Sequence, residues 1–259
     1  MRELVANNLL KNKNYDTIHN FDIIFVQVDY FDYFYYEILP IITSKNIKII
    51  LMTGQWHLPQ INKNEKTEEL LKNDNIFLWI SQNPIYTNNE KYMAFPYGIS
   101  HHTIERYIAF IQSNITNKKQ LKILNQRANV HPHLPDNHIR KKYDIFGKDS
   151  GDKLDYCHFL KNISMSEFVI STTGDREDCY RHYECIGLNA IPISNVTEPL
   201  YKDVFGENMI YSNANEMIDM VNNKIVNYEY QSPNKDILTI EYWKQKINER
   251  IDTLKCKNT

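Results

Sequence analysis

Ser166–Ser194, SEFVISTTGDREDCYRHYECIGLNAIPIS, is the stretch from which the fold is read. Phe168–Ser171 is a short apolar run, rich in β-branched residues, and its pattern predicts a buried strand. Thr172-Thr-Gly-Asp175 predicts a tight turn at the carboxyl end of that strand, with Asp175 or Asp178 placed to cap a helix over Cys179–Gly187. Ala190–Ser194 predicts the next strand. Strand, helix and strand in this order form one right-handed parallel unit, and ligands of such sheets gather outside the carboxyl ends of the strands. The turn after Phe168–Ser171 is therefore the expected ligand position, and a helix start there presents backbone N–H groups to an anion.

Arg181 and Glu184 lie three residues apart, on one helix face. A guanidinium binds a diphosphate bidentately, and a carboxylate one turn on suits the hydroxyls of a ribose. The same spacing also describes an ordinary Arg–Glu pair on a solvated helix. Asp175, Glu177 and Asp178 would repel an anion at this helix start unless they point away or Arg176 and Arg181 outweigh them.

Similar alternation extends along the chain. Phe21–Val28, Asn46–Thr53, Asn75–Ser81 and Tyr92–Phe95 predict strands in the first half, with helices over Phe31–Ser44 and Lys66–Lys72. After a helix over Thr103–Ser113 and a polar break at 113–119, strands are predicted at Leu121–Leu124, Phe168–Ser171, Ala190–Ser194 and Met209–Tyr211. Helices near Asp136–Tyr143, at Ala214–Val226 and at Ile240–Leu254 complete the pattern. Two such halves predict an α/β protein of two Rossmann-like domains facing across a cleft, with one continuous sheet as the competing arrangement. The expected domains are 1–115 and 116–235, with a C-terminal helix at 236–259 packing back on the first.

The chain has 259 residues with 30 Lys plus Arg against 32 Asp plus Glu, a formal net charge of −2. That balance lacks the basic field of a dedicated nucleic-acid binder. No apolar run reaches the roughly 18 residues that span a bilayer, and the start has no signal-peptide core. A cytoplasmic protein without an integral membrane segment is expected. Cys157, Cys179, Cys185 and Cys256 form no CxxC pair and are expected to be small buried hydrophobes in a reducing compartment. His101-His102 and the His131, His133, His138 group lack matched carboxylate or Cys partners, so no metal site is expected.

The Ser166–Ser194 segment resembles the donor-binding region of GT-B glycosyltransferases, most closely the exostosin-like (GT47-like) group. The resemblance rests on the strand, Gly174, Arg181, Glu184 and the small-residue turn Gly187-Leu-Asn-Ala into Ile191-Pro-Ile. It is more distantly similar to the α1,3-fucosyltransferase-like group, where Lys usually follows the Glu; here Cys185 stands there. Weaker echoes lie in Trp79–Asn83, Phe95–Ile99 and the stretch from Asn125 to Arg140.

The resemblance implies an inverting, metal-independent transferase without a cofactor, moving a sugar from a UDP-sugar, or secondly a GDP-sugar, to a glycan hydroxyl. Its acceptor would be a glycan or glycoprotein. Arg181, Glu184, Gly174, Thr173, Arg176 and Tyr180 are its implied donor contacts, with Arg127, His131 and Arg140 as further phosphate candidates. His57 or Asp29 is the expected catalytic base, and Trp56, Tyr97 and Asp32 are the expected acceptor contacts. The alternative is a non-catalytic α/β protein that binds a sugar nucleotide or glycan.

Overall fold

The computed structural model describes residues 3–12, 15–54, 60–113, 119–148 and 155–257. Apolar runs set the strands, and the chain divides into two compact units, each with its own parallel sheet.

The first unit comprises Met1–Pro96 with Trp243–Thr259. Its sheet holds β1 (Glu3–Val5), β2 (Ile23–Gln27), β3 (Ile49–Gly54), β4 (Ile76–Ser81) and β5 (Tyr92–Ala94), paired in chain order and all parallel. Every residue of β4 is buried, as expected of a central parallel strand covered on both faces. The crossover from β2 to β3 is helical from Val28 to Ser44, with a π-turn at Phe34–Ile38 just before Pro40. Proline lacks an N–H and its ring crowds the preceding turn, so the widened turn lets the helix pass through Pro40 to Ser44. Phe31, Phe34 and Ile38 enter the core, while Tyr36 stays 58% exposed.

The second unit comprises Tyr97–Tyr242. Its main sheet holds β6 (Leu121–Leu124), β9 (Ser166–Ile170), β10 (Ile191–Ser194) and β11 (Ile210–Tyr211), again parallel and in chain order. Between β6 and β9 a small parallel ladder joins β7 (Ala128–Asn129) to β8 (Gly147–Lys148). Ile170, Ile191, Ile193 and Phe168 pack on one hydrophobic cluster, and Val169 and Cys185 on another. The helix Tyr180–Gly187 ends in a turn where Asn189 takes φ 59° and Ala190 N–H donates to the Cys185 carbonyl at 2.9 Å. Asparagine tolerates this left-handed position, which aims the chain directly into β10.

Two separate sheets replace the competing single sheet. The unit boundary falls at Pro96/Tyr97, earlier than the expected 115/116. The cause is the helix Ile104–Ser113, whose Tyr107 and Phe110 pack against Leu160, Ile163, Val169 and Cys185 of the second unit. The expected break at 113–119 lies mostly outside the described residues. The last helix, Ile240–Lys257, passes from one unit to the other by chain assignment. Within the first unit the Trp243 ring meets Phe95 at 5.5 Å and Lys257 pairs with Glu90.

No described helix is long and apolar enough to cross a membrane. Of the cysteines, Cys185 is buried as expected, whereas Cys157 and Cys256 are exposed and Cys179 is partly exposed.

Candidate functional site

The carboxyl end of β9 runs into Ser171-Thr-Thr-Gly174, and the helix Tyr180–Gly187 starts six residues later. This helix begins at Cys179, whose side chain makes no capping bond, so neither Asp175 nor Asp178 caps it as the sequence suggested. Asp178 is buried instead. Its Oδ2 accepts the Tyr97 N–H at 2.9 Å and the Tyr183 hydroxyl at 2.5 Å. Glu177 accepts the Thr197 N–H at 2.7 Å and the Thr197 hydroxyl at 3.0 Å. Two of the three carboxylates that would repel an anion are thus held by other partners.

One guanidinium grips the loop. Arg140, on the short helix Ile139–Lys142, donates from Nε to Thr172 Oγ1 at 3.0 Å and from Nη2 to the Thr172 carbonyl at 2.8 Å. Its Nη1 donates to the Asn129 carbonyl at 3.2 Å. A Cβ built on Gly174 would lie 3.6 Å from Arg140 Nη2, in ordinary contact, so the turn packs directly against the guanidinium. Burial, with Arg181 nearby, pulls Arg140 down to about 10; it stays charged at neutral pH. His138 Nε2 donates to the Gly174 carbonyl at 2.8 Å and helps fix the loop. Thr173 is fixed from the other side by Asn195, which accepts its N–H at 3.0 Å.

Arg181 donates to the Gln126 carbonyl at 2.8 Å, and its guanidinium lies 5.3 Å from the Phe159 ring. Glu184 is only 5% exposed, which removes the solvated-pair alternative. Tyr156 donates to its Oε1 at 2.6 Å. Burial raises the Glu184 carboxyl, while Tyr156 and then Arg181 draw it back.

That raised carboxyl has a stability consequence. A folded-state pKa above the unfolded one contributes stability that is complete below the ordinary carboxyl range and is lost as pH rises through the folded value. Glu184→Gln, neutral at every pH, escapes this loss. Its stability relative to the parent is expected to improve between about pH 4 and pH 7. Urea unfolding at both ends of that window checks this, and a pH-independent difference would refute it.

Tyr97 belongs to this same loop cluster. Its ring stacks on Tyr180 at 4.7 Å, it accepts the Tyr180 hydroxyl at 2.9 Å, and the Arg176 guanidinium lies 4.4 Å from its centroid. Tyr97, read from sequence as an acceptor contact, therefore stands in the second unit beside two expected donor residues, Arg176 and Tyr180. Arg127 is exposed between β6 and β7, and His131 is exposed and stacks on His133 at 5.4 Å. The structure places neither in contact with Arg140 or Arg181.

In the first unit Asp29 lies two residues past the end of β2, is exposed, and accepts from Gln27 Nε2 at 3.1 Å. Asp32 is exposed and pairs with Lys66 at 2.8 Å. His57 and Trp56 lie outside the described residues. Among the described residues no group of three or more His, Cys, Asp or Glu is arranged to hold a metal ion.

No family model and no curated protein matches the chain. Among solved structures it is similar to an α1,3-fucosyltransferase, at 12% identity and TM-score 0.41, over 97% of this chain and 90% of that one. It is also similar to a trehalose-6-phosphate synthase, at 11% and 0.38, over 98% and 74% of the two chains. A GtfA/B complex matches at 11% and 0.40, over 95% of this chain and 61% of the other.

Proposed function

We propose that the chain is a glycosyltransferase of GT-B type that binds the diphosphate of a nucleoside-diphosphate sugar at the carboxyl end of β9. The grip of Arg140 on the Thr172–Gly174 turn, with Arg181 on the first turn of the helix that follows, carries this reading. One permanent cation holds the turn, a helix start carrying Arg181 follows it, and Glu177 and Asp178 are bound elsewhere. Such an arrangement stabilises the negative charge that grows on a departing diphosphate.

The resemblance of Ser166–Ser194 to exostosin-like donor segments supports a sugar nucleotide as the ligand, with UDP ahead of GDP. On this reading the guanidiniums take the place of a metal ion, a base drawn from Asp29 or His57 deprotonates a glycan hydroxyl, and the anomeric centre inverts. Glu184 and Arg181 hold the nucleotide from one helix face, with Glu184 kept in place by Tyr156.

A thermal-shift titration with UDP-, GDP-, dTDP- and CMP-sugars in EDTA tests this. A ligand at about 100 times its Kd adds roughly 2.7 kcal/mol of stability. Stabilisation by one nucleotide class despite EDTA is the expected result. A flat response to all four would defeat the reading.

A further inference from the structure

A nucleophile and an imidazole meet inside the second unit, in an arrangement that sugar transfer does not require. Cys179 Sγ lies 3.5 Å from His182 Nε2 and 3.8 Å from Nδ1. His182 is fully buried, with Nε2 3.2 Å from the Glu177 carbonyl and Nδ1 2.8 Å from the Ser171 hydroxyl. A carbonyl only accepts, so Nε2 carries a proton. The sulfur beside that N–H is thus itself placed as an acceptor, which is the role of a thiolate. A thiol proton would have to turn to the Thr172 carbonyl at 3.9 Å or to His182 Nδ1 at 3.8 Å, both long contacts.

The surrounding charges agree. The charges of Arg140, on the helix Ile139–Lys142, and Arg181, on the helix Tyr180–Gly187, both favour a negative sulfur. Asp178 lies near His182 and favours its charged form. Cys179 is also the N-cap residue of its helix, where the positive end of the helix dipole favours an anion. Burial alone would push the Cys179 thiol up; His182 first, then Arg140 and Arg181, outweigh it and hold the thiol down to about 7. Burial likewise opposes the His182 charge, and Cys179 overcomes it, so the His182 value ends raised.

We propose that Cys179 and His182 form a thiolate–imidazolium pair that makes Cys179 a modification site for hydroperoxides, distinct in reactivity from the other three cysteines. The sulfur attacks one peroxide oxygen, the O–O bond breaks and an S–O bond forms. The sulfur is oxidised by two electrons to the sulfenic acid and the peroxide is reduced. The hydroxide so released takes the imidazolium proton and leaves as water. This chemistry stands whether or not the chain transfers sugars.

The test is competitive labelling of the native protein with hydrogen peroxide and dimedone, resolved by peptide mass spectrometry. Cys157 and Cys256, both exposed, serve as internal references, and buried Cys185 is expected to stay unlabelled. A thiol with pKa near 7 is about twentyfold richer in thiolate than an ordinary one at about pH 6.5; its lower basicity returns part of that, leaving about a fivefold faster reaction. Cys179 is therefore expected to carry dimedone about fivefold ahead of the references, and His182→Asn to abolish the lead. Labelling no faster than Cys157 and Cys256 overturns the proposal. Should His182→Asn fail to fold, the native pH–rate profile decides: a midpoint near 7 supports the pair, and one above about 8 refutes it.

Discussion

Arg140→Ala combined with Arg181→Ala is expected to lower nucleoside-diphosphate affinity by about two to four orders of magnitude, since each charge-assisted contact to phosphate is worth about 1.5–3 kcal/mol. The geometry makes Arg140 the more informative of the two. Three of its N–H groups already go to Thr172 and Asn129, so it is held rigid before any ligand arrives. A pre-positioned guanidinium loses little freedom on binding. Arg181 holds only the Gln126 carbonyl among the described residues and contributes chiefly charge.

The two single variants should therefore separate by the response to lysine. Arg181→Lys keeps the charge and is expected to retain most of the affinity. Arg140→Lys loses the fork that grips Thr172, and is expected to bind nearly as weakly as Arg140→Ala. Isothermal titration with the nucleotide identified by thermal shift measures all four proteins, and circular dichroism confirms that each is folded. Wild-type affinity in the double variant would remove the anion site at β9 altogether.

The sheets were legible in the sequence because parallel strands covered on both faces must be continuous apolar runs. NIFLWIS and FVIS leave few alternatives at their lengths. The helix Tyr180–Gly187 and the turn through Asn189 were equally legible, being local. The pairing of distant residues was not. Arg140 meets Thr172 across 32 positions, and Tyr97 meets Tyr180 across 83, and no periodicity encodes either contact.

Local rules also misjudged two features. Asp178 is a favourable cap by type, yet Tyr97 and Tyr183 draw it inward, where burial raises its carboxyl. The cysteines were grouped as buried hydrophobes by composition, although exposure is set by which helix face each occupies. Glu184 shows the reverse: its spacing from Arg181 was readable, but its burial depends on Tyr156, which only the fold brings near.

Trp79→Ala is expected to cost the first unit about 3–5 kcal/mol, the range for deleting a large buried aromatic. Trp79 is fully buried in β4, its ring 5.1 Å from Tyr92, 6.1 Å from Tyr86 and 6.3 Å from Phe31. Its Nε1 also donates to Thr53 Oγ1 at 2.9 Å, and Thr53 passes its own proton to Ser81 Oγ at 2.9 Å. Alanine would leave a cavity and remove the donor that orders this buried chain of hydroxyls. Trp79→Phe keeps most of the volume and should cost less, with loss of the hydrogen bond as its main term, about 0.5–1.5 kcal/mol.

The three tryptophans, Trp56, Trp79 and Trp243, all fall within Met1–Pro96 and Trp243–Thr259. Tryptophan fluorescence therefore follows the first unit, whereas nucleotide affinity at the proposed site follows the second. In urea the fluorescence midpoint of Trp79→Ala should drop steeply, while the protein that remains folded binds nucleotide as the parent does. A cost below about 1 kcal/mol would mean that the aromatic cluster around β4 is not the keystone of its core. A parallel fall in nucleotide affinity would mean instead that the two units do not hold their structures independently.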